Sequence, residues 1–144
     1  MHVHNILKAK GAAVATIHPE ASLADATASL RDHGVGALVV SGDGRTIDGI
    51  VSERDVVRAL AAHGGSTLGR DVASAMSTTV TTCHAHVTVD QLMATMTERR
   101  VRHVPVVDDG GNLEGIISIG DVVKARVGQL EAETNQLHDY ILAR

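Results

Sequence analysis

Apolar residues along this chain follow two periods in turn, and the alternation occurs twice. Behind Ser22, with Asp25 three residues on, Leu23, Ala26 and Leu30 recur at helical spacing; behind Thr88, with Gln91 in the same relation, Val89, Leu92, Met93 and Met96 do likewise. A hydroxyl side chain followed three residues later by Asp or Gln has the form of a capping box, so each run predicts an amphipathic helix. Short continuous apolar runs follow, Ala37-Leu38-Val39-Val40 and Val104-Pro105-Val106-Val107, and they reach Gly42-Asp43-Gly44 and Asp108-Asp109-Gly110-Gly111. Runs of this length closed by Gly and Asp read as strand, turn and returning strand. The returning strands end at Val51 and Ile117, where Ser52 and Ser118 open second helices carrying Val56, Val57 and Leu60, or Val122, Val123 and Val127. The predicted unit is strand, helix, strand, strand, helix.

The two units are copies of one another. Thr16 to Leu60 lies on Thr82 to Arg126 without a gap, most densely where Gly49-Ile50-Val51-Ser52-Glu53-Arg54-Asp55 covers Gly115-Ile116-Ile117-Ser118-Ile119-Gly120-Asp121. Each copy is too short to bury a full core alone, so the repeat predicts a pseudo-twofold pair of half-domains with clefts between them. The fold class is α/β, of the α+β kind, with repeats over 10–62 and 76–128. Between them, His63 to Gly69 reads as a connection of limited rigidity and Val72 to Met76 as a short helix. After them, Val127, Leu130, Leu137 and Ile141 recur at helical spacing, predicting an amphipathic helix over 129–144. It packs either on the core or on a partner subunit, and the pattern leaves both open.

Composition changes this picture in one respect. The chain of 144 residues is 44% hydrophobic and 21% charged but has no Phe, no Trp and one Tyr, so aliphatic side chains and Met must fill the core. A formal net charge of −4 argues against binding nucleic acid or an anionic membrane, which call for a broad basic face. The single cysteine, Cys83, can form no internal disulfide. The opening MHVHNILKAKG holds no apolar run long enough for a signal peptide, and no segment approaches the roughly 20 apolar residues of a membrane span. A cytoplasmic location is the expectation.

Candidate chemistry concentrates in three places. Ser52 with Asp55, and Ser118 with Asp121, have capping-box spacing and so would satisfy the free N–H groups of a helix start. Arg99, Arg100, Arg102 and His103 stand directly before the apolar strand of the second repeat, where the first has only His33, Gly34, Gly36 and Ala37. They form either a phosphate site or a solvated basic face. Cys83, His84 and His86, with His2 and His4, are soft and borderline metal ligands, but their spacing fits no familiar zinc motif, so a metal site ranks behind surface histidines. No Walker-type loop, nucleophile elbow or paired-carboxylate arrangement is present, and no enzyme activity is expected.

The twin Gly-hydrophobic-hydrophobic-Ser-x-x-Asp segments, the Val101-Arg102-His103-Val104-Pro105-Val106-Val107 strand entry and the Asp-Gly turns resemble the tandem cystathionine β-synthase (CBS) domain pair, or Bateman module, over roughly residues 10 to 128. The resemblance implies two βαββα units with nucleotide clefts between them, adenosine-containing ligands and disc-shaped dimers. It implies that Asp55 and Asp121 accept hydrogen bonds from a ribose diol, each worth roughly 1.5–3 kcal/mol, with Ser52 and Ser118 holding the turn. Phosphate then falls to Arg99, Arg100, Arg102 and His103, helped by Arg54 and the helix start at Ser52. Adenine would lie against Thr16-Ile17-His18 and Thr82-Cys83-His84, with Val35, Leu38, Val101 and Val104. The reading is a non-catalytic regulatory module for AMP, ADP, ATP or NAD, acting as a homodimer on an effector protein still to be identified. The alternative is a constitutive dimeric scaffold with empty clefts.

Overall fold

The computed structural model describes residues 1–11 and 13–143. Ala12, in the first predicted repeat, and Arg144, last of the tail, lie outside the described residues. The first repeat folds as β1 (Thr16–Ile17), α2 (Leu23–His33), β2 (Ala37–Val40), β3 (Gly49–Ser52) and α3 (Glu53–His63), after an N-terminal helix α1 (Val3–Lys10). The second folds as α4 (Val89–Arg99), β4 (His103–Val107), β5 (Leu113–Ser118) and α5 (Ile119–Leu142). The fold is mixed α/β, and every predicted capping box forms. Ser22 accepts from the Asp25 N–H at 3.0 Å and Thr88 from the Gln91 N–H at 3.1 Å.

In the first sheet β1 runs parallel to β2, Thr16 opposite Val39, and β2 runs antiparallel to β3, Ala37 opposite Ser52. The second keeps the antiparallel pair, with His103 opposite Ser118. Its first strand, expected at Thr82-Cys83, shrinks to one parallel bridge between Cys83 and Val106. Pro105 occupies the position of Val39 and has no N–H to give to a longer ladder. Tight side-chain turns close both hairpins. Asp43 accepts from the N–H groups of Arg45 and Thr46 at 2.8 and 2.7 Å, and Asp108 from those of Gly110 and Asn112 at 2.9 Å each.

Two aliphatic cores form, and each is sealed by a segment that precedes the other repeat. Val3 and Ile6 of α1 join Leu92, Met96, Val104, Val106, Ile117 and Val122 in the second core. Val72 joins Leu23, Leu30, Leu38, Val40, Val51 and Val56 in the first. Ile6 and Val72 are equivalent positions of the repeat, so the chain exchanges matching arms between its halves. The sequence pattern missed α1, which is capped at His2 by the Asn5 side chain at 2.8 Å and ends at Gly11 with φ 95°.

The connection between the repeats is firmer than predicted. Gly64–Gly69 winds into a 3-10 turn whose Thr67 is fully buried and donates its hydroxyl to the Ala59 carbonyl at 3.0 Å. The helix expected over Val72 to Met76 is a 3-10 turn, Val72–Ser74, capped by Asp71 at 3.1 Å. Beyond it, Ile50 and Ser77 exchange backbone hydrogen bonds of 2.9 Å, which ties the second arm to β3. Only glycine fits at position 49 beside that arm, because a Cβ there would stand 2.7 Å from the Ser77 carbonyl oxygen.

Candidate functional site

The first cleft opens where β3 hands over to α3, and both repeats wall it. From the first repeat come Ser52, Glu53, Arg54, Asp55 and Arg58; from the arm come Ser77 and Thr79 to Thr81; from the second repeat come Arg100 to His103. The cavity holds about 290 Å³, near the lower end of small-molecule pockets. Asp55 serves as cap. Its Oδ2 accepts from the Ser52 N–H at 2.8 Å and the Ser52 hydroxyl at 3.0 Å, while its own N–H donates to Ser52 Oγ at 3.4 Å. All three bonds leave Oδ1 out, so capping the helix and accepting from a ligand are compatible roles for one carboxylate. Arg54, Arg58, Arg100 and Arg102 also line the cavity, a donor set suited to phosphate oxygens.

Arg100 carries a further mark. Its φ of 55° and ψ of 42° place it in the left-handed region, and it alone does so among the described non-glycine residues. The equivalent position of the first repeat is Gly34, at φ 62° and ψ 37°. A Cβ in that region costs about 1–2 kcal/mol. Strain held at a cleft wall is a pointer to function.

The second cleft is differently filled. Lys10, at the end of α1, places its ammonium 2.6 Å from Asp121 Oδ2 and donates to the Ile116 carbonyl at 2.8 Å. The equivalent carbonyl of the first repeat, that of Ile50, receives the Ser77 N–H instead. Asp121 is also capped to Ser118, accepting from its N–H at 2.9 Å. Burial pushes the Asp121 carboxyl up, but the Lys10 and Ser118 hydrogen bonds and the Lys10 charge outweigh it and hold the group below its ordinary value. Lys10 thus stands against the carboxylate expected to meet ribose. His103 lies between the two sets of charges. Burial lowers its pKa, the charges of Lys10 and Arg102 add to the drop, and Glu53 and Asp121 oppose it. Its ring needs the empty side of Gly36, where a Cβ would come within 3.3 Å of it.

Of the predicted binding residues, Ser52, Arg54, Asp55, Arg100, Arg102 and His103 meet in the first cleft. Ser118 and Asp121 sit apart from them, beside Lys10. Val104 and Leu38 are fully buried, because alternate strand residues turn into the cores, and they cannot touch a ligand. Ile17 packs against the first core, Thr16 is exposed on β1, and Thr82 and Arg99 stand outside the cleft wall. The arm approaches the cleft upstream of Thr82, so Ser77 and Thr79 to Thr81 take the place expected of Thr82. Arg58 was missed, although it follows Arg54 by one helical turn on α3. Lys10 was missed because α1 itself was.

Four of the histidines fall into stacked pairs. His84 and His86 stack at 5.5 Å, as do His2 and His4, and His84 Nδ1 lies 3.0 Å from the Val107 carbonyl. Among the described residues no three His, Cys, Asp or Glu side chains converge on one point. Burial pushes the Cys83 thiol up to about 11, which suits neither a thiolate ligand nor a nucleophile. No helix among the described residues is long and apolar enough to cross a membrane.

Residues 12–62 and 70–128 each match the CBS domain. The chain is similar to CBS domain-containing protein CBSX3, mitochondrial, of Arabidopsis thaliana, at 38% identity over 121 residues, which are 81% of this chain and 58% of that protein. It therefore spans less than two thirds of that relative. Among solved structures it resembles the CBS-domain containing protein ATU1752 from Agrobacterium tumefaciens, with a TM-score of 0.83 and 46% identity over 87% of this chain and 92% of that one. It also resembles the CBS domain pair of protein MJ0100 in complex with methylthioadenosine and S-adenosyl-L-methionine, with a TM-score of 0.80 and 26% identity over 90% of this chain and 98% of that one.

Proposed function

The chain belongs to the CBS domain family, and from the geometry of its first cleft we propose that it is a non-catalytic regulatory module binding one adenine nucleotide, AMP, ADP, ATP or NAD, in that cleft. The observation that carries the reading is that one cavity is lined by the capped carboxylate Asp55 and by Arg54, Arg58, Arg100 and Arg102, four arginines against the two carboxylates of Asp55 and Glu53. Asp55 Oδ1 accepts from the ribose diol, and the arginines take the phosphates. The adenosine ligands of the MJ0100 pair point to the same class, while four arginines favour a phosphate-bearing ligand over S-adenosylmethionine. No Phe, Tyr or Trp lines the cleft to stack on adenine, so affinity in the micromolar range or weaker is expected.

The cleft walls come from both repeats, so a bound nucleotide bridges them and favours the arrangement in which both sets of contacts are made. That preference is passed on through a homodimer to an effector chain. The second cleft plays no part while Lys10 neutralises Asp121. A thermal-shift panel of AMP, ADP, ATP and NAD tests the reading, because a ligand that binds the native state raises its melting temperature. A rise that disappears in Asp55→Asn supports it. A flat panel leaves a constitutive scaffold with empty clefts.

A further inference from the structure

The first cleft has an annex. A cavity of about 310 Å³ adjoins it along α3, and Asp55 and Arg58 line both spaces. Beyond these two, the annex is lined by His63 at the end of α3 and by Arg70 and Ser74 of the connection. Two arginines and a histidine thus accompany one carboxylate. Among the described residues, neither the Arg58 nor the Arg70 guanidinium has a hydrogen-bond or ion-pair partner. Arg70 is nonetheless fixed by its backbone, whose N–H donates to the Thr67 carbonyl at 3.0 Å and whose carbonyl accepts from the Leu23 N–H at 2.8 Å.

The fold does not require this charge. In the second repeat the equivalent groove has Lys124 in place of Arg58, Gln129 in place of His63 and Ala9 in place of Ala75, and Ile6, Ala125 and Ala132 make it mainly apolar. Its other cation, Lys10, is already paired with Asp121. The first repeat therefore holds unpaired guanidinium groups in a space that the second builds largely from aliphatic walls, which marks the annex as an anion site.

We propose that the annex binds a phosphate carried on the 2′ or 3′ oxygen of the ribose, so that the preferred ligand of the first cleft is an adenine nucleotide phosphorylated on the diol as well as on the 5′ oxygen. The proposal rests on the nucleotide reading given above. Because Asp55 lines both spaces, a ribose held by it sits at their junction. The 2′ and 3′ oxygens lie on the edge of the ring away from C5′. A 5′-phosphate directed to Arg54, Arg100 and Arg102 leaves that edge toward the annex, where a second phosphate meets Arg58, Arg70 and His63. The hydroxyl that remains still donates to Asp55. The carboxylate repels the added phosphate, but the two guanidinium groups outnumber it.

Titration calorimetry with AMP, ADP, adenosine 2′,5′-bisphosphate and adenosine 3′,5′-bisphosphate tests the annex. ADP carries its extra phosphate on the 5′ side and controls for charge alone. One bisphosphate should bind about tenfold tighter than AMP, and the tighter of the two identifies the diol position. In Arg70→Ala that advantage should vanish while AMP and ADP keep their affinities. Arg70→Gln, which retains most of the side chain, should lose the advantage as well. Arg70 is exposed, so the ligand-free melting curves of both variants should match the wild type. AMP binding with neither bisphosphate tighter than AMP, an advantage that survives both substitutions, or an equal loss of ADP affinity in Arg70→Ala would each overturn the proposal and leave the nucleotide reading standing. Failure of all four ligands to bind would remove the nucleotide reading itself, and the annex with it.

Discussion

Replacing Arg100 by glycine separates what the first cleft costs the fold from what it gains in binding. Arg100 sits at φ 55°, and Gly34 shows that the same turn is built without strain when no Cβ is present. Relief of the left-handed conformation returns about 1–2 kcal/mol, and the extra freedom of glycine in the unfolded chain takes back about 0.5–1 kcal/mol. The net is a stabilisation of roughly 0.5–1 kcal/mol, which in a chain of this size is a rise in melting temperature of about 1–4 °C. The same change removes one of four guanidinium groups from the cleft. Arg100 is exposed, so the lower end of the charge-assisted range applies, about 1.5 kcal/mol or roughly tenfold in affinity. Urea unfolding of the ligand-free protein and calorimetric titration with the nucleotide chosen by the thermal-shift panel read the two effects separately. Stability that fell in Arg100→Gly would refute the strain argument, and an unchanged dissociation constant would remove Arg100 from the phosphate site.

Other outcomes follow from the same geometry. Asp55→Asn keeps an acceptor for the Ser52 cap but loses the charge, and should weaken nucleotide binding tenfold or more in titration calorimetry, whereas Asp121→Asn in the presence of Lys10 should change it little. Lys10→Met frees Asp121 and Ile116, so a second nucleotide should bind per chain. It should also flatten the acid limb of the stability curve: Asp121 is held below its ordinary value, so its contribution is present above about 3.9 and is lost as pH falls through that range. His103 is depressed from 6.5 by burial and by Lys10, so the native state resists its protonation. Its contribution is present above 6.5 and declines as pH falls below that value, which urea midpoints between pH 7 and 5 should show for the wild type and not for His103→Ala.

The helix starts were the most legible part of the chain, because a capping box is written in adjacent residues and Ser22, Ser52, Thr88 and Ser118 all form one. The repeat also announced the cleft containing Asp55 and the Arg100 to His103 wall. What it hid was partnership across the halves. The pairing of Ile6 with Val72 as exchanged arms depends on two positions outside the densest match, and α1 lacks the Ser or Thr cap that marks the other helices. Lys10 was illegible for the same reason, since its meaning comes from a carboxylate 111 residues away. Val104 is fully buried, because strand alternation decides which neighbour of His103 faces the cleft, and that phase is set by the buried core of the second repeat.

The number of adenine nucleotides bound per chain distinguishes an open first cleft from a second one closed by Lys10. Titration calorimetry of the wild-type protein, using the nucleotide with the largest thermal shift, measures that number directly. One site per chain, abolished in Asp55→Asn, is the predicted result. No binding by AMP, ADP, ATP or NAD would contradict the nucleotide reading of the first cleft, and two equal sites would contradict the closure of the second by Lys10.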